Sequence, residues 1–421
     1  MANQENVHLY DIAIFLSEVL DFINSRLVNH HKLVAYIGAC LAEELGFPQE
    51  AQNRVVLAGL LHDIGALSLS DRLDAMAFEL DQPHQHAEMG ALFLELFEPF
   101  HPVTDVVRHH HAPWNNGESA GEAVDEAHVV HLADRIAVLI NPRQEILGQT
   151  GDILSRIRMH ANTLFAPHLV GAFEFLAARE SFWFSLTQPL INASLERCAQ
   201  RLPQVAMDAA ALGDLARLFC RLIDFRSRFT ATHSSGVAAS ASLLAHYTGM
   251  SASEARLMEV AGYFHDIGKL SIPLEILEKP GKLTKQEFNV IKSHAYYTYY
   301  LLDRIPVLST VRDWAALHHE RLNGRGYPFH YTLDNIPLGS RIMAVADVFV
   351  AMAEDRPFRK AMKMSQALWH IGGMVDERSL DGDVVAVLKS HILEINDVRE
   401  TAQREAAESY VNFGLHLRQA V

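Results

Sequence analysis

Cysteine, basic charge and long apolar runs are all scarce in this chain of 421 residues. The three cysteines, Cys40, Cys198 and Cys220, are odd in number and far apart, and no CxxC pair occurs. That excludes a disulfide framework and a thiolate zinc or redox site, and it reads as reduced core thiols in a cytoplasmic protein. Lysine and arginine total 36 against 51 acids, for a net charge of −15. A basic stripe for DNA is therefore not expected. A small anionic substrate stays compatible, because bound metal ions reverse the local field. No apolar run reaches the ~18 residues of a membrane span. The opening stretch "MANQENVHLYDIAIFLSEVLDF" lacks a basic n-region and is interrupted by acids, so it reads as an amphipathic helix rather than a signal peptide. Alternating strand patterns of any length are missing as well, which points to an all-α fold.

Histidine is what the chain has in quantity. There are 24, many in pairs or runs such as His30-His31, His109-His110-His111 and His318-His319. They belong to an internal repeat. "LLHDIGALS" at 60–68 and "YFHDIGKLS" at 263–271 align with an offset of 203 (265 − 62), and the same offset places His30 on His233 and Gly46 on Gly249. The offset then drifts, as loops allow. His86 corresponds to His294, His110-His111 to His318-His319, and Asp134 to Asp347. Each half thus carries the same ordered list: His, His-Asp, His, His-His, Asp. Two such lists in one order mark a duplicated fold, two tandem helical domains assigned to 1–205 and 206–421.

The helix signals fit this division. Ser251 with Glu254 and Thr284 with Glu287 are spaced as capping boxes before apolar-periodic stretches, and Gly268 stands where a helix end is expected. Residues 142–203 complete the first domain, and the stretch from Val375 to Val421 reads as further helix.

Imidazole with carboxylate suits first-row divalent ions: iron or manganese first, with nickel and zinc also accommodated. In the second half, His233, His265, Asp266 and Asp347 are assigned to one ion. Asp266 bridges to a second ion held by His294, His318 and His319. Two ions about 3.5–4 Å apart activate a water and neutralise a phosphoryl group.

"HDIGK", then "HHERLNGRGYP", then "RIMAVADVF…DRPFRK" closely resembles the HD-GYP phosphodiesterases, a branch of the HD metal-dependent phosphohydrolases. The likeness spans about Leu215 to Ser390. It implies hydrolysis of a bacterial cyclic dinucleotide, cyclic di-GMP or 3'3'-cyclic GMP-AMP, to a linear dinucleotide or mononucleotides. On this likeness Asp266 and Lys269 are catalytic, with Lys269 meeting the phosphate or the leaving oxygen. Gly324, Gly326, Tyr327 and Pro328 form a tight loop, with Tyr327 facing a base, and Arg356 and Arg359 fork onto phosphate or guanine.

Three positions depart from the family pattern. Asn323 stands for the acid of "DGxGYP", and Val350 for the acid three residues past the last metal aspartate. Phe229 occupies the place of a third-metal glutamate, so a two-metal site is expected. Asn323 and Val350 also motivate a rival reading, a catalytically impaired signalling receptor or scaffold. The first half keeps His30, His62, Asp63, His86, His110, His111 and Asp134, the makings of a second metal site. It has Ala66 for the lysine, no GYP loop, and "NPRQ" for the arginine-rich segment. It reads as a degenerate, regulatory HD domain able to meet a signalling partner. The long helices are compatible with a homodimer.

Overall fold

The structure, a computed structural model, describes residues 6–21, 29–67, 84–117, 125–226, 232–355 and 359–420. Phe229 and Arg356 lie outside the described residues. The described chain is all-α apart from one short pairing of Asn6–His8 with Gln204–Ala206. It divides into two compact units, Asn6–Val205 and Ala206–His416. No helix among the described residues is long and apolar enough to cross a membrane.

In the first unit the helices that matter are α1 (His30–Glu44), α2 (Gln49–Leu61), α3 (His84–Leu94), α4 (Thr104–Arg108) and α5 (Asp125–Leu139). In the second they are α6 (His233–Tyr247), α7 (Ala252–Phe264), α8 (Lys285–Leu302), α9 (Ser309–Ala316), α10 (Leu338–Ala353) and α11 (Ile392–Ala420). The packing repeats. α1 lies against α2 and α5 as α6 lies against α7 and α10, and α2 meets α4 as α7 meets α9. Gly46 and Gly249, matched by the repeat, close α1 and α6 at φ +70° and +94°. Only glycine adopts such left-handed caps without a Cβ penalty.

Both capping boxes form. Glu254 N–H donates to Ser251 Oγ at 3.3 Å while Ser251 N–H donates to Glu254 Oε2 at 2.8 Å, and Thr284 and Glu287 repeat the exchange at 3.2 and 2.7 Å. Two orphan donors are satisfied at each helix start, which fixes where α7 and α8 begin. Their other ends are set differently from expectation. α7 stops at Phe264, and Gly268 falls inside a following 3₁₀ turn, Ile267–Ser271, with no left-handed φ. Its role is close approach. A Cβ there would lie 2.0 Å from the His294 carbonyl oxygen of α8, and one on Gly65 would lie 2.1 Å from that of His86 in α3. The glycine of each HDIG is thus where the backbone of the next histidine-bearing helix rests.

Candidate metal centre

The helix packing brings all seven second-unit residues of the predicted set into one buried cluster. His265 and Asp266 end α7, His233 opens α6, His294 lies midway along α8, His318 and His319 follow α9, and Asp347 lies on α10. Their ligand atoms fall into overlapping groups: His233, His265 and Asp347 on one side, and His294, His318 and His319 on the other. Asp266 stands between. Its Oδ2 is 3.1 Å from His265 Nε2 and its Oδ1 is 3.5 Å from His294 Nε2, so each oxygen faces a different group. His233 Nε2 lies 3.2 Å from Asp347 Oδ1.

The first unit reproduces the arrangement. Asp63 Oδ2 is 3.4 Å from His62 Nε2, Asp63 Oδ1 is 3.4 Å from His86 Nε2, and Asp134 Oδ1 is 3.3 Å from His30 Nε2. His110 and His111 complete a group with Asp63 and His86. One feature differs. Arg135, 1% exposed, sets its guanidinium 2.5 Å from Asp134 Oδ2, whereas the position after Asp347 is Val348.

Local backbone chemistry aims the imidazoles. Nδ1–H donates to the carbonyl three residues back in His62 (3.0 Å to Gly59), His110 (2.6 Å to Val107), His265 (2.7 Å to Gly262), His294 (2.5 Å to Ile291) and His318 (2.6 Å to Ala315). With the proton held on Nδ1, the Nε2 lone pair points into the cluster. Nε2 of His62, His110 and His265 is buried and finds no hydrogen-bond partner among the described residues. A buried lone pair without a donor costs stability unless something electrophilic meets it. Burial pushes His294 down to about 4 and His318 down to about 3, so both are neutral imidazoles at pH 7. Burial alone would raise Asp266, but His265 and Lys269 outweigh it and hold the carboxyl well below its usual range. Neutral imidazoles around ionised carboxylates are the donor set of a divalent cation, and the clusters in both units are consistent with metal binding.

Lys269 and Tyr327 meet the second cluster, and the other predicted residues that are described have partners of their own. Lys269, on the 3₁₀ turn, ion-pairs with Asp266 Oδ2. Tyr327 N–H donates to His319 O at 3.2 Å, and its ring sits 4.8 Å from that of His319 at 34°. Gly326 lets the loop pass directly over Glu320 and Arg321. Asn323 holds the loop's base: its Oδ1 accepts Arg325 N–H at 3.0 Å, and its Nδ2 donates to Glu377 O at 2.9 Å. Arg359 donates to the carbonyls of Ala351 and Met352 at the end of α10 and to that of its neighbour Lys360. Val350 is fully buried.

Three residues were not singled out by the sequence reading. Glu320, 2% exposed, accepts Phe329 N–H at 2.6 Å and Tyr331 N–H at 3.0 Å, so it anchors the far side of the GYP loop. Thr298 accepts Gly268 N–H and donates to His265 O, both at 3.1 Å, tying α8 to the HDIG turn. Its signal was its place four residues after His294, one turn along the same face. Glu354 approaches His233, seven residues and two turns beyond Asp347.

Comparison with known proteins agrees with this duplicated architecture. HD domain profiles match residues 27–139 and 217–384. The chain is 31% identical over 400 residues to a 3'3'-cGAMP-specific phosphodiesterase of Vibrio cholerae, covering 91% of each. It is 39% identical over 178 residues to a cyclic di-GMP phosphodiesterase response regulator of Xanthomonas campestris, covering 40% of this chain and 46% of that one. A solved structure of a cyclic GMP-AMP specific phosphodiesterase from V. cholerae shares the fold, with a TM-score of 0.64 at 22% identity over 92% of this chain and 98% of that one. With two HD domains, a GYP loop against the second cluster and chain-long similarity to one of its members, this chain belongs to the HD-GYP family of HD-domain phosphodiesterases.

Proposed function

We propose that the second unit hydrolyses a phosphodiester of a 3'3'-linked cyclic dinucleotide, and that 3'3'-cyclic GMP-AMP is its better substrate. The observation that carries the reaction is Asp266, whose two oxygens face two histidine groups beside Lys269 and Tyr327. The substrate ranking rests on the chain-long likeness to a 3'3'-cGAMP enzyme. His233, His265, Asp266 and Asp347 would hold one divalent cation, and Asp266, His294, His318 and His319 another, iron or manganese suiting this thiolate-free set. Such a pair supplies positive charge at a phosphoryl oxygen and a nucleophile at neutral pH. Lys269 brings a point charge to the phosphate edge of the cluster. Tyr327 offers a ring face to a base. Arg359 reaches phosphate only by releasing the helix-end carbonyls it now caps.

The first unit, in this reading, binds an ion and signals rather than turning over. Ala66 removes the phosphate-facing charge, and Arg135 already neutralises Asp134.

Side-by-side turnover of the two dinucleotides by protein loaded anaerobically with iron(II) or manganese tests the proposal. Linear product from 3'3'-cyclic GMP-AMP at the higher kcat/KM is expected, with none after chelation. Undiminished turnover by chelated protein would overturn it. Lys269→Ala is expected to keep its metal content and lose about 10²-fold in kcat, the usual loss for one charge-stabilising donor. Metal added at about 100 times Kd should stabilise the folded unit by roughly 2.7 kcal/mol. In a unit of this size that is a rise of roughly 5–10 °C in Tm, read by calorimetry.

A further inference from the structure

We propose that Glu354 is the positioning residue for His233, supplying from just beyond the end of α10 the carboxylate that Val350 cannot. This rests on the two-ion reading of the second unit. His265, His294 and His318 are each aimed by a carbonyl three residues back. His233 opens α6, and the carboxylate beside its Nδ1 comes from beyond the end of α10. Glu354 Oε1 lies 2.9 Å from that Nδ1, with the two side chains 2% and 11% exposed. The contact is a short ion-pair distance rather than an aligned hydrogen bond. A carboxylate there keeps the proton on Nδ1 and leaves Nε2, already 3.2 Å from Asp347 Oδ1, to face the cluster.

Helix periodicity explains the substitution. Positions 347 and 350 share one face of α10, and Glu354 follows as the extended residue that caps its end. Val350 on that face is buried but accepts nothing. Glu354, at the helix end, can turn back over it. Its other oxygen is held in turn. Gln403 of α11 donates Nε2–H to Glu354 Oε2 at 3.0 Å, and Arg399 Nη1–H donates to Gln403 Oε1 at 2.5 Å. Gly236 on α6 makes room, since a Cβ there would lie 2.9 Å from Gln403 Nε2. The relay Arg399–Gln403–Glu354–His233 therefore links the C-terminal helix to the centre. It has no counterpart at the matching described position of the first unit. The matching first-unit position, 354 − 213 = 141, is Asn141, which is exposed and accepts Arg143 N–H at 3.0 Å.

The test uses the full-length chain with Glu354→Ala and Glu354→Gln. Bound manganese is counted by mass spectrometry against graded chelator, beside the metal-free Tm and separate kcat and KM. Glu354→Ala is expected to hold one second-unit ion 10- to 100-fold more weakly, with its metal-free Tm unchanged. Glu354→Gln should recover part of the loss, because an amide oxygen keeps a partial negative charge beside Nδ1–H. Wild-type retention of every ion by both variants would overturn the role of Glu354 and leave the two-ion reading standing. If Asp266→Ala also loses no ion, the two-ion reading itself fails. Should Glu354→Ala not fold, Gln403→Ala frees Glu354 Oε2 and is expected to weaken the same ion by a smaller factor. Unchanged affinity there overturns the relay.

Discussion

Asp266→Ala is expected to remove turnover of either dinucleotide, by about 10⁴-fold or more in kcat/KM, as for other residues that act as one unit with their neighbours. The size follows from geometry. One carboxylate faces both histidine groups, 3.1 Å from His265 Nε2 through one oxygen and 3.5 Å from His294 Nε2 through the other. In the two-ion reading, removing it takes a ligand from each ion at once, and it leaves Lys269, now paired with Asp266, without its counter-charge. Metal analysis should show the second unit losing both ions while the protein still folds, because Lys269, 17% exposed, can turn its charge to water. A variant that keeps both ions and more than a tenth of wild-type kcat/KM would refute the bridging role.

Gly268→Ala should be the most damaging single-methyl change in the second unit. Its Cβ would come within 2.0 Å of His294 O, 2.8 Å of His294 C and 2.9 Å of Thr298 N. These are backbone atoms of α8, which cannot swing aside as a side chain does. Either the 3₁₀ turn carrying Lys269 or the helix carrying His294 must move. The cost is about 3 kcal/mol, the upper end of overpacking. Thermal unfolding should show a lower Tm, and metal titration a weaker ion on the His294, His318 and His319 side. Gly65→Ala meets the same obstacle at His86 O, 2.1 Å away, and should lower the first unit's own melting transition. A Gly268→Ala protein with wild-type Tm and metal affinity would show that α8 is not seated on the HDIG turn.

The helical class, the duplication and both capping boxes could be read from the chain because they depend on local spacing. Ser251 and Glu254 can meet only if a helix begins between them, and the two His/Asp lists recur at fixed offsets whatever the packing. The residues that steer the centre were harder to see. Gly268 reads as a helix stop in one dimension and is in fact a seat for α8. Glu320 sits inside the quoted "HHE" yet shows its purpose only when the loop folds back to place Phe329 and Tyr331 N–H against it. Arg359 looks like a phosphate fork, but the folded chain engages it on the carbonyls ending α10.

By itself, then, the amino-acid order determined which side chains gather: seven histidines and aspartates in each half, an ionisable lysine in only one, and a glycine-rich loop after only one His-His pair. Tertiary structure decided how they act. It set the two oxygens of Asp266 toward different histidine groups, put Arg135 on Asp134, and carried Glu354 across to His233. Ligand identity follows from residue type and short-range spacing, which sequence records directly. Ligand orientation follows from which backbone or carboxylate lies behind each imidazole, and that depends on helices far apart in the chain coming to rest against one another.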